Sequence, residues 1–507
     1  MHTSSFSQQP FRRVAGWCLF ASLVINLFCN SFSPFFIPEG AMDPNCFYAE
    51  GCAIAHGMLP YRDFLDVKGP LLFLIYTIGY LLTPTRCEGI FLLYVLATCG
   101  TLIAFYRTTE LFHLTPKQSI VAVALTACAL FSRAVTFWAA QPEQLMVFPF
   151  AWSLYYLTAF LTQPDAAHHR PLAWWVSIGA ATSFLIKYNF VLPYTAIFCV
   201  VVFRLIHQGQ AKEILPFFLR CLVGAGLICA PFIIYLTYHG LWNDFYHAYF
   251  QLNLEAAANQ PGFKSAEQIK SKFISIPIKT LAYALLGHAC AVGFICKHSE
   301  YRSLMRHLLP VLLVTFLSCF MGLWGYYYII MAPTAIFCSI DIARHPFTNA
   351  HLERGFAWKL AAAALLLVFL INDHCLGPLG WGRPRQERAH IEAVQTMIAR
   401  IPSPRIIYCE SPDILLGRKA ETLPGASMWM LLSGVYSCRE SLRDCAIRER
   451  RADFIVTSVI TGEKMKKLVQ ESGYTPISGA HFDRIGKLMD VQLWALPDVV
   501  TLLRPTN

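Results

Sequence analysis

The chain has 507 residues, of which 56% are hydrophobic and only 14% charged, with a mean hydropathy of +0.46. A soluble globular protein carries about a quarter charged residues, so this composition excludes one and points to a polytopic membrane protein. The formal net charge of +10 comes from Lys and Arg scattered between apolar runs. A nucleic-acid interface gathers its cations on one face, so no nucleic-acid partner is expected; loop charge that fixes membrane orientation accounts for the excess. Most of the 18 cysteines, among them Cys18, Cys29, Cys99, Cys128, Cys199, Cys229 and Cys338, sit within apolar runs, where Cys packs as a small hydrophobe. No CxxC pair and no Cys/His zinc spacing occurs. Cys46 and Cys52, and Cys409, Cys438 and Cys445, are able to pair if they face an oxidising compartment, a choice the sequence leaves open.

In chain order, Phe11-Arg12-Arg13 precedes an apolar run from Val14 to Phe32. No small-residue cleavage site follows, so the run reads as an uncleaved first span with a cytoplasmic N-terminus. Leu71 to Leu82 is apolar but only about 12 residues long, short of the roughly 20 that cross the hydrocarbon core. It reads as a surface helix, and Ser33 to Glu88 as one external loop holding two such helices. The apolar runs that follow are Gly89 to Tyr106, Ser119 to Phe131, Leu145 to Leu161, Leu172 to Ile186, Phe190 to Leu205, Leu215 to Tyr238, Ile274 to Ile295, Leu308 to Leu323, Tyr327 to Ile340 and Trp358 to Ile371. With the first they make about eleven spans. On this count every cytoplasmic connection carries a cation, such as Arg107 and Lys117, Arg170, Lys212, Arg302 or Arg344. The acids Asp43, Glu50, Asp63, Asp66, Glu143 and Glu255 fall outside, with Lys264, Lys270 and Lys272 opposing the asymmetry.

An odd number of spans leaves the tail external. The membrane domain is therefore read as residues 1–372 and an extracytoplasmic domain as 373–507, where the composition turns mixed and charged. Arg405 to Glu410, Asp453 to Ser458 and Val491 to Leu496 read as strands, and Met428 to Ser433 and Glu463 to Ser472 as helices, the latter stopped by Gly473. The alternation predicts a small α/β domain of about 130 residues, without a Gly-rich phosphate loop.

The segment Glu39 to Pro70, EGAMDPNCFYAEGCAIAHGMLPYRDFLDVKGP, is the one long acidic, irregular stretch between apolar spans. Asp43 before Pro44 suits a helix N-cap, opening a short amphipathic run that closes at Gly57. Glu50 lies about two turns along the same helix and reads as a solvated carboxylate sharing a face with Asp43. Asp63, Asp66 and Lys68 read as solvated turn charges. Glu143, in Gln141-Pro142-Glu143-Gln144, falls in the first turn of a helix, where it complements the helix dipole. Lys187 interrupts two apolar runs; an ionisable residue at that depth is a functional candidate or a lysine snorkelling to the interface. Arg133 is a weaker candidate of the same kind. Tyr326, Tyr327 and Tyr328 suit an aromatic belt. The loop from Trp242 to Phe273, with Asn253, Glu255 and Asn259, is long enough for a lid.

An acid just beyond the first span, then a helix, then YRDF and D-x-KGP, resembles the first external loop of the C-type (GT-C fold) integral membrane glycosyltransferases. These include the protein O-mannosyltransferases and the bacterial aminoarabinose transferases. The resemblance covers roughly the first 340 residues and is most specific over Asp43 to Pro70. It implies an inverting enzyme of a bacterial inner membrane that moves a sugar from a polyprenyl-phosphate donor to an acceptor glycan, lipid or protein. It also implies roles. Asp43 matches the catalytic acid that orients or deprotonates the acceptor, Glu143 helps position it, and Lys187 with Arg133 holds the donor phosphate. Glu50, Asp63, Asp66, Lys68 and Tyr327 would touch substrate. The Asp-Glu pair usual in the family is replaced by Asp43-Pro44, and the His expected beside the tyrosines is missing. Some branches of the superfamily need a divalent metal and others do not; the clustered acids are too few to assign one. A transporter or flippase of lipid-linked glycans, or a non-catalytic membrane subunit, remains the alternative.

Overall fold

A computed structural model describes residues 11–34, 42–84, 87–131, 140–163, 169–259, 302–320, 325–344, 393–408, 421–426, 439–458, 462–485 and 488–503. The expected spans Ile274 to Ile295 and Trp358 to Ile371, the expected helix Met428 to Ser433, and Arg133 lie outside the described residues. The helices before the C-terminal part are α1 (Phe11–Cys29), α2 (Met42–Ala55), α3 (Pro70–Leu82), α4 (Glu88–Leu111), α5 (Pro116–Leu130), α6 (Pro142–Thr162), α7 (His169–Ile186), α8 (Leu192–His207), α9 (Ile214–Tyr238), α10 (Trp242–Tyr246), α11 (Leu252–Asn259), α12 (Arg302–Phe320) and α13 (Ala335–Arg344). Among the described residues, five helical segments are long and apolar enough to cross a membrane: Phe11–Cys29, Glu88–Leu111, Pro142–Thr162, Tyr188–His207 and Ala211–Tyr238. Helix α3 is 13 residues long, which at 1.5 Å per residue spans about 20 Å, less than the roughly 30 Å of a hydrocarbon core.

Helix starts follow local chemistry. Proline takes the first turn of α3, α5 and α6, where its missing N–H costs nothing. Helix α5 adds a capping box, with the Thr115 hydroxyl accepting from the Gln118 N–H while the Gln118 side chain accepts from the Thr115 N–H.

The chain divides into two compact units. The first comprises Met1–Cys29, Tyr94–Pro231 and Lys270–Cys375. In it, α6 packs on α7 and on a 3₁₀ helix, Gly325–Thr334, α5 packs on α13, and α8 packs on α12. Polar bonds also link elements of this unit: Thr126 Oγ1 to Ser339 Oγ at 3.0 Å joins α5 to α13, Trp152 Nε1–H to the Gly100 carbonyl at 3.0 Å joins α6 to α4, and Arg344 of α13 donates to the Phe112 carbonyl just past α4 at 2.6 Å. Helix α9 leaves Leu215, Phe218, Leu222 and Leu227 exposed, as a lipid-facing helix would.

The second unit comprises Asn30–Leu93, Phe232–Ile269 and Leu376–Asn507. Helices α2 and α3 cross so closely that a Cβ on Gly51 would sit 2.6 Å from the Tyr76 carbonyl carbon. Its C-terminal part contains β1 (Arg405–Tyr408), β2 (Leu423–Pro424), α14 (Arg439–Arg448), β3 (Phe454–Thr457), α15 (Gly462–Glu471), β4 (Thr475–Ile485), β5 (Leu488–Ala495) and α16 (Pro497–Leu503). The strands form one mixed sheet in the order β2-β1-β3-β5-β4, parallel from β2 to β3 and antiparallel thereafter. Its core gathers Ile407, Ile447, Ile455, Val469, Tyr474 and Trp494. The Tyr474 hydroxyl donates to the Ala452 carbonyl at 2.9 Å and Trp494 Nε1–H to Thr457 Oγ1 at 2.8 Å, so both aromatic polar tips are satisfied. The expected strands at 405, 453 and 491 are present, as is the helix that stops at Gly473, whose φ is +89°. The hairpin arm β4, β2 and α14 were not anticipated. Pro476 and Gly479 interrupt the alternation of β4, whose register shifts between Pro476 and His481, and α14 buries little beyond Ala446 and Ile447.

Candidate active site

The acidic segment builds its site around α2. The helix begins at Met42, so Asp43 lies inside its first turn, not at the cap ahead of it. It ends as expected at Gly57, with φ +86°. The Gly57 N–H donates to the Ile54 carbonyl at 2.9 Å and the Met58 N–H to the Ala53 carbonyl at 3.0 Å, the two bonds of a Schellman end. The amphipathic reading does not hold. Every residue from Pro44 to Ala53 is buried, because α3 and β2 both pack against the helix. Asp43 alone among its acids keeps partial exposure.

Burial also overturns the solvated reading of Glu50, which is 0% exposed. Among the described residues no N–H or O–H donor reaches either of its carboxyl oxygens. The charged groups that act on it are the carboxyl of Asp66, then Lys68 and Asp43. Burial first, and Asp66 second, hold the Glu50 carboxyl well above the usual carboxylate range. Asp66 is itself 3% exposed and accepts the Lys68 backbone N–H at 2.8 Å, with Lys68 Nζ 3.9 Å away. The Lys68 ammonium also lies 5.4 Å from the centre of the Phe47 ring. Asp66 and Lys68 are thus an internal pair, while Asp63 is exposed and accepts the Leu59 N–H at 2.6 Å, bracing the turn.

Three residues to which the sequence reading gave no individual role hold this loop. Tyr61 adopts φ +69°, packs edge-on to Phe73 and Phe245, and donates its hydroxyl to the Lys68 carbonyl at 2.9 Å. Arg62 donates to Asp244 at 3.0 Å and to the Gly240 carbonyl at 2.8 Å at the end of α9. His56 Nε2 lies 3.4 Å from Glu421 and 3.1 Å from Ser403 Oγ. Tyr80 donates to the other Glu421 oxygen at 2.7 Å. The expected lid from Trp242 is helical through Asn259, and Asn253 donates to the Val67 carbonyl at 2.8 Å. The remainder of that segment lies outside the described residues. Cys52 and Cys445 are free thiols.

The other sequence candidates meet in the first unit. Glu143 occupies the first turn of α6, 1% exposed, and its Oε1 accepts from Lys187 Nζ at 2.8 Å. Lys187 caps a 3₁₀ turn, Tyr188–Val191, between α7 and α8, and its ammonium stands 3.7 Å from the centre of the Tyr327 ring. Tyr327 is 7% exposed inside the 3₁₀ helix, so it roofs a buried ion pair and is no belt residue. Glu143 Oε2 and both polar atoms of the Gln141 side chain are buried without a hydrogen-bond partner among the described residues. Gln141 was missed; its only signal is its place two residues ahead of Glu143. Among the described residues no group of three or more His, Cys, Asp or Glu is arranged to hold a metal ion.

No protein-family model and no curated protein matches the chain. Solved structures do. ArnT from Cupriavidus metallidurans in its apo state aligns over 98% of this chain and 99% of its own, with a TM-score of 0.60 at 11% identity. The same protein bound to undecaprenyl phosphate aligns over 96% and 98%, with a TM-score of 0.54 at 12% identity. This chain therefore has the overall fold of ArnT, in keeping with the helical fold expected from the sequence.

Proposed function

We propose that this chain is a membrane glycosyltransferase that moves a hexosyl or pentosyl group from a polyprenyl-phosphate donor to an acceptor glycan, lipid or protein, with inversion. The observation that carries the reading is a part-exposed Asp43 in one compact unit with Lys68 and the buried carboxyls of Glu50 and Asp66. That arrangement stands on the fold of ArnT, one structure of which holds undecaprenyl phosphate.

The chemistry assigns the roles. An acceptor oxygen attacks the anomeric carbon while the bond from that carbon to the phosphate oxygen breaks, the electron pair leaving with the phosphate. An acceptor hydroxyl must lose its proton in the process, and Asp43 is the one carboxylate of the group that solvent and acceptor can reach, so it is the general base. Lys68 supplies the positive charge that balances the departing phosphate. Lys187 is a poorer choice for that duty. Its ammonium is held by Glu143 at 2.8 Å and roofed by Tyr327, a tighter hold than the 3.9 Å between Lys68 and Asp66, so a phosphate would draw less from it than from Lys68. We assign Glu143, Lys187 and Tyr327 to fixing the junctions between their helices.

The donor tail stays in the bilayer of a bacterial inner membrane. About eleven spans, a cytoplasmic N-terminus and an extracytoplasmic segment 33–88 and domain 373–507 complete the reading. The test uses membranes carrying wild type or Lys68→Met and a panel of polyprenyl-phosphate sugars, following both sugar transfer and release of polyprenyl phosphate. Transfer from one donor, with a raised KM for that donor in Lys68→Met, supports the reading. An unchanged donor KM in the variant, or no transfer by wild type from any donor, contradicts it.

A further inference from the structure

Glu50 presents an anomaly that the transfer chemistry does not use. It is a carboxyl with no exposure, no donor to either oxygen among the described residues, and a second buried carboxyl, Asp66, beside it. An ionised carboxylate in such a place would forgo water without any replacement donor, a cost that proteins avoid by keeping the proton. Two carboxyls that share a site hold one proton between them. Asp66 already accepts the Lys68 N–H and faces the Lys68 ammonium, so it is the partner suited to the negative charge. Glu50 is left as the partner suited to the proton.

We propose that Glu50 is a positioning residue that works in its neutral form, donating its carboxyl proton to Asp66 and thereby holding the Asp66–Lys68 pair in place for the donor phosphate. The inference rests on the reading of this loop as the transfer site. The charged and titratable groups around Glu50 are Asp43 on its own helix, and Asp66, Lys68 and Tyr61 on the loop. Helix α3, packed at Gly51, presents Tyr76 to the neighbouring Phe47 ring at 5.6 Å. Lys68 is the only cation in that set, and it is matched by Asp66. Ionising Glu50 would put a second negative charge beside Asp66. The carboxyls would repel, Asp66 would shift, and both the Lys68 backbone N–H and its ammonium would lose their anchor.

The test compares Glu50→Ala and Glu50→Gln with wild type and with Asp43→Asn in membranes, measuring kcat and donor KM from pH 6 to 9. Glutamine has the shape of the neutral carboxyl and keeps a donor N–H where the proton was. Glu50→Ala should raise the donor KM and lower kcat/KM by about tenfold or more, as misplacement of a binding group does. Glu50→Gln should restore transfer to within about threefold of wild type and flatten the alkaline fall of the wild-type profile, since no proton remains to be lost. A purely structural role would not move that profile. Infrared difference spectra of the purified chain give a readout apart from activity: wild type at neutral pH should show the C=O stretch of a protonated acid that Glu50→Gln lacks. If wild type transfers but Glu50→Gln is as inactive as Asp43→Asn, or if wild type itself lacks the infrared band, the inference is overturned and the functional reading stands. Wild type that transfers from no donor overturns both.

Discussion

Removing either half of the Glu143–Lys187 pair should destabilise the chain, and by unequal amounts. The pair is 2.8 Å long, with side chains 1% and 14% exposed. Breaking a buried ion pair by deleting one partner costs about 3–5 kcal/mol, because the survivor is left charged and dry. The two survivors differ here. In Glu143→Gln, Lys187 keeps the face of the Tyr327 ring 3.7 Å from its ammonium, a contact worth about 2 kcal/mol when desolvated. The expected loss is therefore about 1–3 kcal/mol. In Lys187→Met, Glu143 has no second donor, since its Oε2 is already without a partner among the described residues, and the loss should approach the full 3–5 kcal/mol. The double variant should fall short of the sum by about 2 kcal/mol or more, because each change removes what the other stranded. Unfolding of the detergent-solubilised chain in a graded denaturant gives the three differences from wild type. Losses that add to within about 0.5 kcal/mol, or a Glu143→Gln loss larger than that of Lys187→Met, would refute the coupling.

Other consequences can be checked more simply. Gly51→Ala drives a methyl group into the Tyr76 backbone at 2.6 Å, which cannot swing aside, so α2 and α3 should separate at a cost of about 1–3 kcal/mol, seen as a lower thermal midpoint. Maleimide should label exposed Cys445 well before Cys46 or Cys52 in the folded chain. Both of the latter are buried, and burial pushes the Cys52 thiol up to about 12, so little of it is thiolate at neutral pH. In the C-terminal hairpin, hydrogen bonds from His481 and then Lys466 hold the Asp490 carboxyl below its usual range. A lowered folded-state value means the unfolded chain binds this proton more readily. The stabilisation is thus present above the ordinary aspartate range and lost as pH falls through the lowered value. Asp490→Asn should narrow the difference in thermal midpoint between neutral and acid pH.

The parts of this protein that could be read from the sequence are those set by local pattern. Apolar runs placed α4, α6, α8 and α9, and the shortness of Leu71 to Leu82 matched the 13-residue α3. Strand runs and Gly473 placed β1, β3, β5 and the end of α15. The site was only half visible. Asp43 and the loop charges stood out as acids between spans, but their burial depends on α3 and β2 covering α2 on sides that its own residues do not mark as buried or exposed. Glu50 looked solvated because a carboxyl two turns along a short helix usually is. The Glu143–Lys187 pair joins residues 44 positions apart, and Tyr327 reaches it from a separate 3₁₀ helix. No local periodicity encodes such a meeting. The hairpin strand β4 was hidden by Pro476 and Gly479, which break alternation where the ladder shifts register.

The central claim is that Asp43 takes the acceptor's proton, and the measurement that reaches it most directly is sugar transfer by Asp43→Asn in membranes at equal expression. Asparagine keeps the shape of the side chain and removes its basicity, so kcat should fall by about 10²–10⁴-fold with donor KM unchanged, the usual contribution of a general base. Transfer at the wild-type rate would contradict the account and leave Asp43 as an acid at the start of a helix.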